Sequence, residues 1–164
     1  MTGDQISGEL YVRPAGPFDL EVLAALHAIC FTAPWDQTWT ANSFAEVLAM
    51  PGASGIILLD KDNEPLGFAV MRSVLDETEI ILLAVRPDCR GRGFGKELAQ
   101  MIVERAHAEG QQAIFLEHAH PNVAAARLYQ AAGFKQMGIR RNYYRNRNNE
   151  AVDAVTMRRD LAQE

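Results

Sequence analysis

Apolar positions recur along this chain with two alternating periods, and the switches between them predict its elements. Leu10-Tyr11-Val12-Arg13 reads as a short strand stopped by Pro14 and Pro17. From Asp19 to Cys30, the residues Leu20, Leu23, Leu26, His27 and Cys30 fall near one face with helical spacing, and Pro34-Trp35 breaks the pattern. A second helix covers Ser43 to Met50, starts near Thr40 and ends at Pro51-Gly52. Beyond Gly52 the helical period gives way to strands over Ile56–Leu59, Leu66–Leu75 and Thr78–Val85. The turn from Asp60 to Pro65 and an acidic hairpin at Asp76-Glu77 separate them. The unbroken apolar stretch Ile80–Val85 predicts a central strand covered on both faces.

The second half repeats the alternation. Leu98, Met101, Ile102, Arg105 and Ala106 line one stripe of a helix from Gly95 to Glu109, stopped by Gly110. Ala113–Glu117 is a further strand, and Asn122 is a suitable N-cap for a helix over Val123–Ala132, closed by Gly133. Phe134–Tyr144 and Val152–Arg158 form a terminal strand pair around the polar turn Asn146–Asn149. Residues 1–8 read as a flexible lead. The pattern shows no repeat or linker, so a single α+β domain over 1–164 is expected.

Bulk properties narrow the function classes. The 164 residues suffice to bury a core, and 48% hydrophobic with 23% charged content is ordinary for a globular domain. A net charge of -5 argues against generic nucleic-acid binding. No apolar run reaches the roughly 18 residues of a membrane span. The first residues carry neither the basic start nor the apolar stretch of a signal peptide. Cys30 and Cys89 form neither a disulfide framework nor a metal-ligand spacing. A cytoplasmic location, no membrane partner and a monomer are the expectations.

The most informative chemistry lies in Arg90-Gly91-Arg92-Gly93-Phe94-Gly95-Lys96, between the central strand and a helix. Glycine lets the backbone approach a ligand closely, and the helix turns its unpaired N–H groups toward the same place. Arg90, Arg92 and Lys96 add positive charge, so the loop is an anion cradle. A nucleotide P-loop requires Ser or Thr after its lysine, but Glu97 follows Lys96. A dinucleotide fingerprint should open a βαβ unit near the start of a domain, whereas several strands precede this one. The remaining pattern, Arg-x-x-Gly-x-Gly, suits the pyrophosphate of coenzyme A.

At this loop the chain resembles the GNAT (Gcn5-related) N-acetyltransferases. Ala33-Pro34-Trp35-Asp36, Leu116-Glu117, Asn122 to Tyr129, Gly133-Phe134, Arg140 to Tyr144 and Asp153 to Met157 extend the similarity over residues 10–160. These segments resemble the branch that acetylates the N-terminal alanine of a ribosomal protein. The resemblance implies the GNAT acyl-CoA N-acyltransferase fold, a mixed, mostly antiparallel twisted sheet of about seven strands flanked by four helices. It also implies acetyl-CoA as co-substrate and a protein N-terminus as acceptor. A protein lysine or a small amine is the alternative acceptor, and a non-catalytic acyl-CoA-binding module is the alternative class.

Specific roles follow from the same resemblance. Glu117 is the expected proton acceptor and Tyr129 the proton donor to the leaving thiolate. Without the resemblance, Glu117 reads as an exposed strand-end carboxylate and Tyr129 as a core ring. Leu83, Ala84 and Val85 would offer backbone groups to pantetheine, Arg90 to Lys96 would hold the pyrophosphate, and Asn122 would serve as cap and ligand. Tyr143 and Tyr144 are expected along the acceptor groove, and Trp35 is a core or loop anchor or one wall of that groove. Independently of the resemblance, the acidic hairpin Asp76-Glu77-Thr78-Glu79 reads as a solvated turn or, beside the acetyl site, as a means by which Asp76 attracts a basic peptide. An α-amino acceptor, with a pKa of about 7.7–8.0, is far easier to deprotonate than lysine at about 10.4. His118-Ala119-His120-Pro121 departs from the branch pattern, and its His-x-His lacks the further ligands of a metal site, so no metal is expected. Arg140, Arg141, Arg145 and Arg147 with two tyrosines could instead suggest RNA; a solvated hairpin is the simpler reading.

Overall fold

The computed structural model describes residues 3–162. Its strands are β1 (Asp4–Ser7), β2 (Leu10–Pro14), β3 (Ala53–Leu59), β4 (Pro65–Val74), β5 (Glu77–Val85), β6 (Ala113–Ala119), β7 (Lys135–Arg145) and β8 (Ala151–Asp160). Its helices are α1 (Leu20–Cys30), α2 (Ala41–Leu48), α3 (Phe94–Ala108) and α4 (Val123–Ala131), with one 3-10 turn at Pro87–Cys89. The strands form an 8-stranded sheet in the order β1-β2-β3-β4-β5-β6-β8-β7. Neighbours are antiparallel except β5 and β6, which are parallel and joined by α3.

Each face of the sheet buries its own core. On one face Leu98, Ile102 and Val103 of α3 and Tyr129 of α4 pack over Ile80, Ile114, Leu116 and Met157. On the other, Leu23 and Leu26 of α1 and Phe44 of α2 pack over Ile57, Phe68 and Val70. Because both faces are covered, Ile56 to Leu59 are all buried, which explains their unbroken apolar run.

Local chemistry sets the helix ends. Thr40 accepts from the Ser43 N–H and Ser43 returns the bond to the Thr40 N–H, a capping box that starts α2 where the sequence places it. Asn122 Oδ1 accepts from the Ala125 N–H at 3.1 Å and starts α4.

The lead differs from expectation. Residues 1 and 2 lie outside the described residues, but Asp4–Ser7 pairs antiparallel with β2 through Asp4↔Val12 and Gln5↔Tyr11. Gly8, at φ +49, makes the tight return possible, and the Gln5 side chain donates to its carbonyl. This strand supplements the seven read from periodicity.

One irregularity positions the site. The β5–β6 ladder runs from Glu77↔Ala113 to Ile80↔Leu116 and ends there, although β5 continues to Val85 and β6 to Ala119. At the same place the β4–β5 register jumps, with Ile80 opposite Met71 but Leu82 opposite Val70, so Ile81 is an inserted residue. A bulge bends its strand and increases local twist. Here it accompanies the parting of two parallel strands.

Candidate active site

The gap between β5 and β6 holds two adjoining cavities. The first, about 510 Å³, is bounded by Leu83 to Val85, by the glycine loop and by Asn122 and Tyr129 of the α4 region. The second, about 480 Å³, is bounded by Glu79, Glu117, Trp35, Tyr143 and Tyr144. Leu83, Asn122, Ala125 and Tyr129 line both, as do Phe31, Trp35 and Asp36. The site is therefore a two-chambered passage with Tyr129 at its junction.

In the first chamber the glycines do what the sequence requires. Gly91 and Gly93 adopt φ +77 and +82, and a Cβ at either would meet nothing within 4 Å. The loop surface is thus open, and side chains are excluded by backbone conformation rather than crowding. The first helical bond of α3 runs from Glu97 N to Gly93 O, so the N–H groups just before Glu97 have no acceptor higher in the helix. Lys96 also lines the chamber. Gly95 serves packing: a Cβ there would stand 2.6 Å from Leu128 Cδ1 on α4.

Two arginines of the loop are placed differently from the expectation of a phosphate clamp. Arg90 donates from Nε to the Val85 carbonyl at 3.1 Å and from Nη2 to the Cys30 carbonyl at 3.0 Å. It ties the end of β5 to the end of α1. Arg92 lies over the Phe94 ring at 4.6 Å and is not among the residues lining the chamber. Arg90 still lines the chamber, beside the backbone of the loop, the start of α3 and Lys96.

In the second chamber Glu117 is largely buried and pairs with Arg140 at 3.0 Å. Its negative charge is the main cause that raises the Tyr143 hydroxyl above its usual pKa. Burial, then the charge of Glu117, raises the Glu79 carboxyl. Burial pushes Tyr144 up to about 12 and raises Tyr129 further. Asp36 is raised by burial and accepts from the Ala33 N–H at 2.9 Å, folding the Pro34-Trp35 segment against the passage. Trp39 and His27 complete the floor, with His27 stacked on Phe31 at 4.4 Å.

Asp76 is the sequence-derived candidate that the fold moves away. It sits at the β4–β5 hairpin tip, about 20 Å of extended strand from Leu83, and lines neither chamber. Of that acidic run Glu79 lies in the passage. The arginine cluster stays on the surface, and each member has an intramolecular partner. Arg140 pairs with Glu117 and Arg141 with Asp153, while Arg145 and Arg147 donate to the Asn149 and Thr32 carbonyls. Among the described residues no three His, Cys, Asp or Glu side chains form a metal-binding group.

Residues 20–134 match the model of the acetyltransferase (GNAT) family. The chain belongs to the GNAT family. This GNAT chain is 35% identical over 139 residues to the ribosomal protein bS18-alanine N-acetyltransferase of Haemophilus influenzae, covering 85% of this chain and 90% of that relative. Its fold matches the crystal structure of the ribosomal-protein-S18-alanine N-acetyltransferase from Escherichia coli with a TM-score of 0.83 at 24% identity, covering 94% and 96% of the two chains. A GNAT phosphinothricin acetyltransferase from Sinorhizobium meliloti, solved with acetyl-CoA, aligns with a TM-score of 0.79 at 18% identity over 94% and 90%. Acetyl-CoA is accordingly the acetyl donor of this GNAT enzyme, an N-acetyltransferase.

Proposed function

We propose that this chain transfers the acetyl group of acetyl-CoA to the α-amino group of a protein N-terminus, with the N-terminal alanine of ribosomal protein bS18 as acceptor. The observation that carries the reading is the division of the passage. One chamber has an open backbone cradle for an anionic donor, and the other has carboxylates and aromatic walls for an amine. The amine nitrogen bonds to the acetyl carbon of acetyl-CoA, the C–S bond breaks, and coenzyme A leaves as the thiol. The cradle at Gly91 to Lys96 would hold its pyrophosphate, and Leu83 and Ala84, past the last β6 rung, would offer backbone groups to pantetheine. The Val85 carbonyl is already engaged by Arg90.

The attacking nitrogen must lose a proton, and Glu117, in the acceptor chamber only, is the group assigned to take it. Tyr129 stands where both chambers meet and is assigned to protonate the departing sulphur. Burial raises its pKa, so the phenol enters the reaction protonated. Asn122 caps α4 with Oδ1, while its amide Nδ2 serves the donor.

A second feature shapes the acceptor chamber. Arg147 donates from its backbone N–H to the Pro34 carbonyl at 2.9 Å and from Nη2 to the Thr32 carbonyl at 3.2 Å. The loop carrying Trp35 and Asp36 is thus tied to the hairpin carrying Tyr143 and Tyr144, and all four line the acceptor chamber. A ribosomal acceptor carries with it a cytoplasmic location.

The test is acetylation of an N-terminal peptide panel, with mass spectrometry locating the acetyl group. Transfer to the α-amine of Ala-starting peptides is expected. Products confined to internal lysines would replace this reading with the lysine one, and acetyl-CoA binding without any transfer would point to a binding module.

A further inference from the structure

One stretch of β7 breaks its pairing with β8. Arg140 lies opposite Ala154 and Tyr144 opposite Val152, so residues 141–143 face Asp153 alone. Such an insertion leaves ladder groups without their usual partners. Asn142 takes φ +56, a conformation that Asn tolerates better than most residues.

Asp153 fills the vacated positions. Its Oδ1 accepts from the Asn142 N–H at 2.9 Å, and its Oδ2 accepts from Arg141 Nη1 at 3.1 Å. On its other edge, the Asp153 carbonyl accepts from the His120 N–H at 2.8 Å, one residue beyond the last β6–β8 pair, Ala119↔Ala154. His120 belongs to the short link between the strand carrying Glu117 and the helix carrying Tyr129. One residue therefore joins both segments that shape the acceptor chamber.

We propose that Asp153 is a positioning residue for the acceptor: it holds the β7 bulge that brings Tyr143 against Glu117, and anchors the link between β6 and α4. The inference rests on the proposed N-terminal acetyltransferase reading. Asp153 itself lines neither chamber, so it acts through Tyr143 and the link. Its bonds have a clear physical consequence. A carboxylate accepting a backbone N–H and a guanidinium forms charge-assisted bonds, and without them a three-residue bulge has many alternative conformations.

The experiment measures steady-state acetylation of an Ala-starting peptide by wild type, Asp153→Ala, Asp153→Asn, Tyr143→Phe and the Asp153→Ala/Tyr143→Phe pair, with thermal melts alongside. Asp153→Ala is expected to raise the peptide KM about tenfold while leaving the acetyl-CoA KM nearly unchanged. Asp153→Asn keeps an acceptor for the Asn142 N–H and should recover much of the loss. The double variant should lose less than the product of the single losses, because both act on one contact. A peptide KM unchanged in both Asp153 variants, or single losses that multiply fully, overturns the inference. If Asp153→Ala does not fold, the comparison of Asp153→Asn with its own Tyr143→Phe double variant decides by the same criterion. Wild type inactive on every N-terminal peptide would instead overturn the functional reading, so the two failures are separable.

Discussion

Nε of Arg140 lies 3.0 Å from Oε1 of Glu117, and the partners differ sharply in exposure, 59% against 16%. The carboxylate belongs to the passage, while the guanidinium reaches it from the surface. Because the guanidinium is the exposed partner, it can move into solvent when an incoming ammonium takes its place on the carboxylate, and the pair is worth only about 1 kcal/mol. Arg140→Ala is expected to shift unfolding free energy by less than about 1 kcal/mol and to lower the acceptor KM modestly by removing a competitor. Denaturant titration and peptide kinetics check both, and a strongly raised KM would make Arg140 an acceptor contact instead.

Glu117→Gln preserves size but removes the proton acceptor. Turnover should fall about 10²–10⁴-fold, the usual worth of a positioned acid or base. Acetyl-CoA affinity by calorimetry should remain close to wild type, since Glu117 lies outside the donor chamber. Unchanged turnover would remove it from the base role.

Tyr129→Phe keeps the ring that packs edge-on against Phe134 at 5.5 Å, so its melting temperature should barely move. Turnover should drop about 10²-fold. Burial raises the Tyr129 pKa, so the phenol stays protonated throughout the working range. The residual activity should therefore follow the wild-type pH profile up to about pH 9. Loss of a basic limb in the variant would contradict a phenol held neutral.

Gly93→Ala places a Cβ in open space but at φ +82. The left-handed conformation costs an L-residue roughly 1–2 kcal/mol. The loop should relax that strain by rotating its N–H groups out of the cradle. Weaker acetyl-CoA binding with an unaltered peptide KM is expected from calorimetry and kinetics.

Burial lowers His27 to about 4 from a usual 6.5. Its sign is that of a group buried neutral: the unfolded chain binds the proton more readily, so stability falls as pH drops from about 6.5 toward 4 and levels off below. The loss is on the order of 3 kcal/mol. His27→Phe, in a nest of Phe31, Trp39 and Phe44, should flatten melting temperature across that window. A variant with the wild-type acid slope would assign the slope to other groups.

The periodic elements were legible because their signals are local. Leu20 to Cys30 and Leu98 to Ala106 show helical stripes, and Thr40, Asn122 and Gly110 mark ends that the structure reproduces. Asp4–Ser7 was not legible, since a short, polar segment becomes a strand only by pairing with β2. His118 and Ala119 likewise join β6 through Val155 and Ala154. The glycine loop was readable from composition, but the inward turn of Arg90 was not, because the Cys30 carbonyl that receives it is 60 positions away. Asp76 and Glu79 look alike as neighbouring acids; strand direction carries one to the hairpin tip and the other into the passage.

The amino-acid order by itself determined an open glycine loop at the start of a helix, a central apolar strand and the family pattern around Glu117 and Tyr129, because spacing, glycine and caps act within a few residues. Only the tertiary structure decided where the chambers lie and what forms their walls. The Ile81 bulge, the parting of β5 from β6 after Ile80↔Leu116 and the β7 bulge held by Asp153 all arise between strands distant in sequence. Such register breaks are set by the balance of packing and hydrogen bonding across the sheet, and no single strand carries that balance in its own residues.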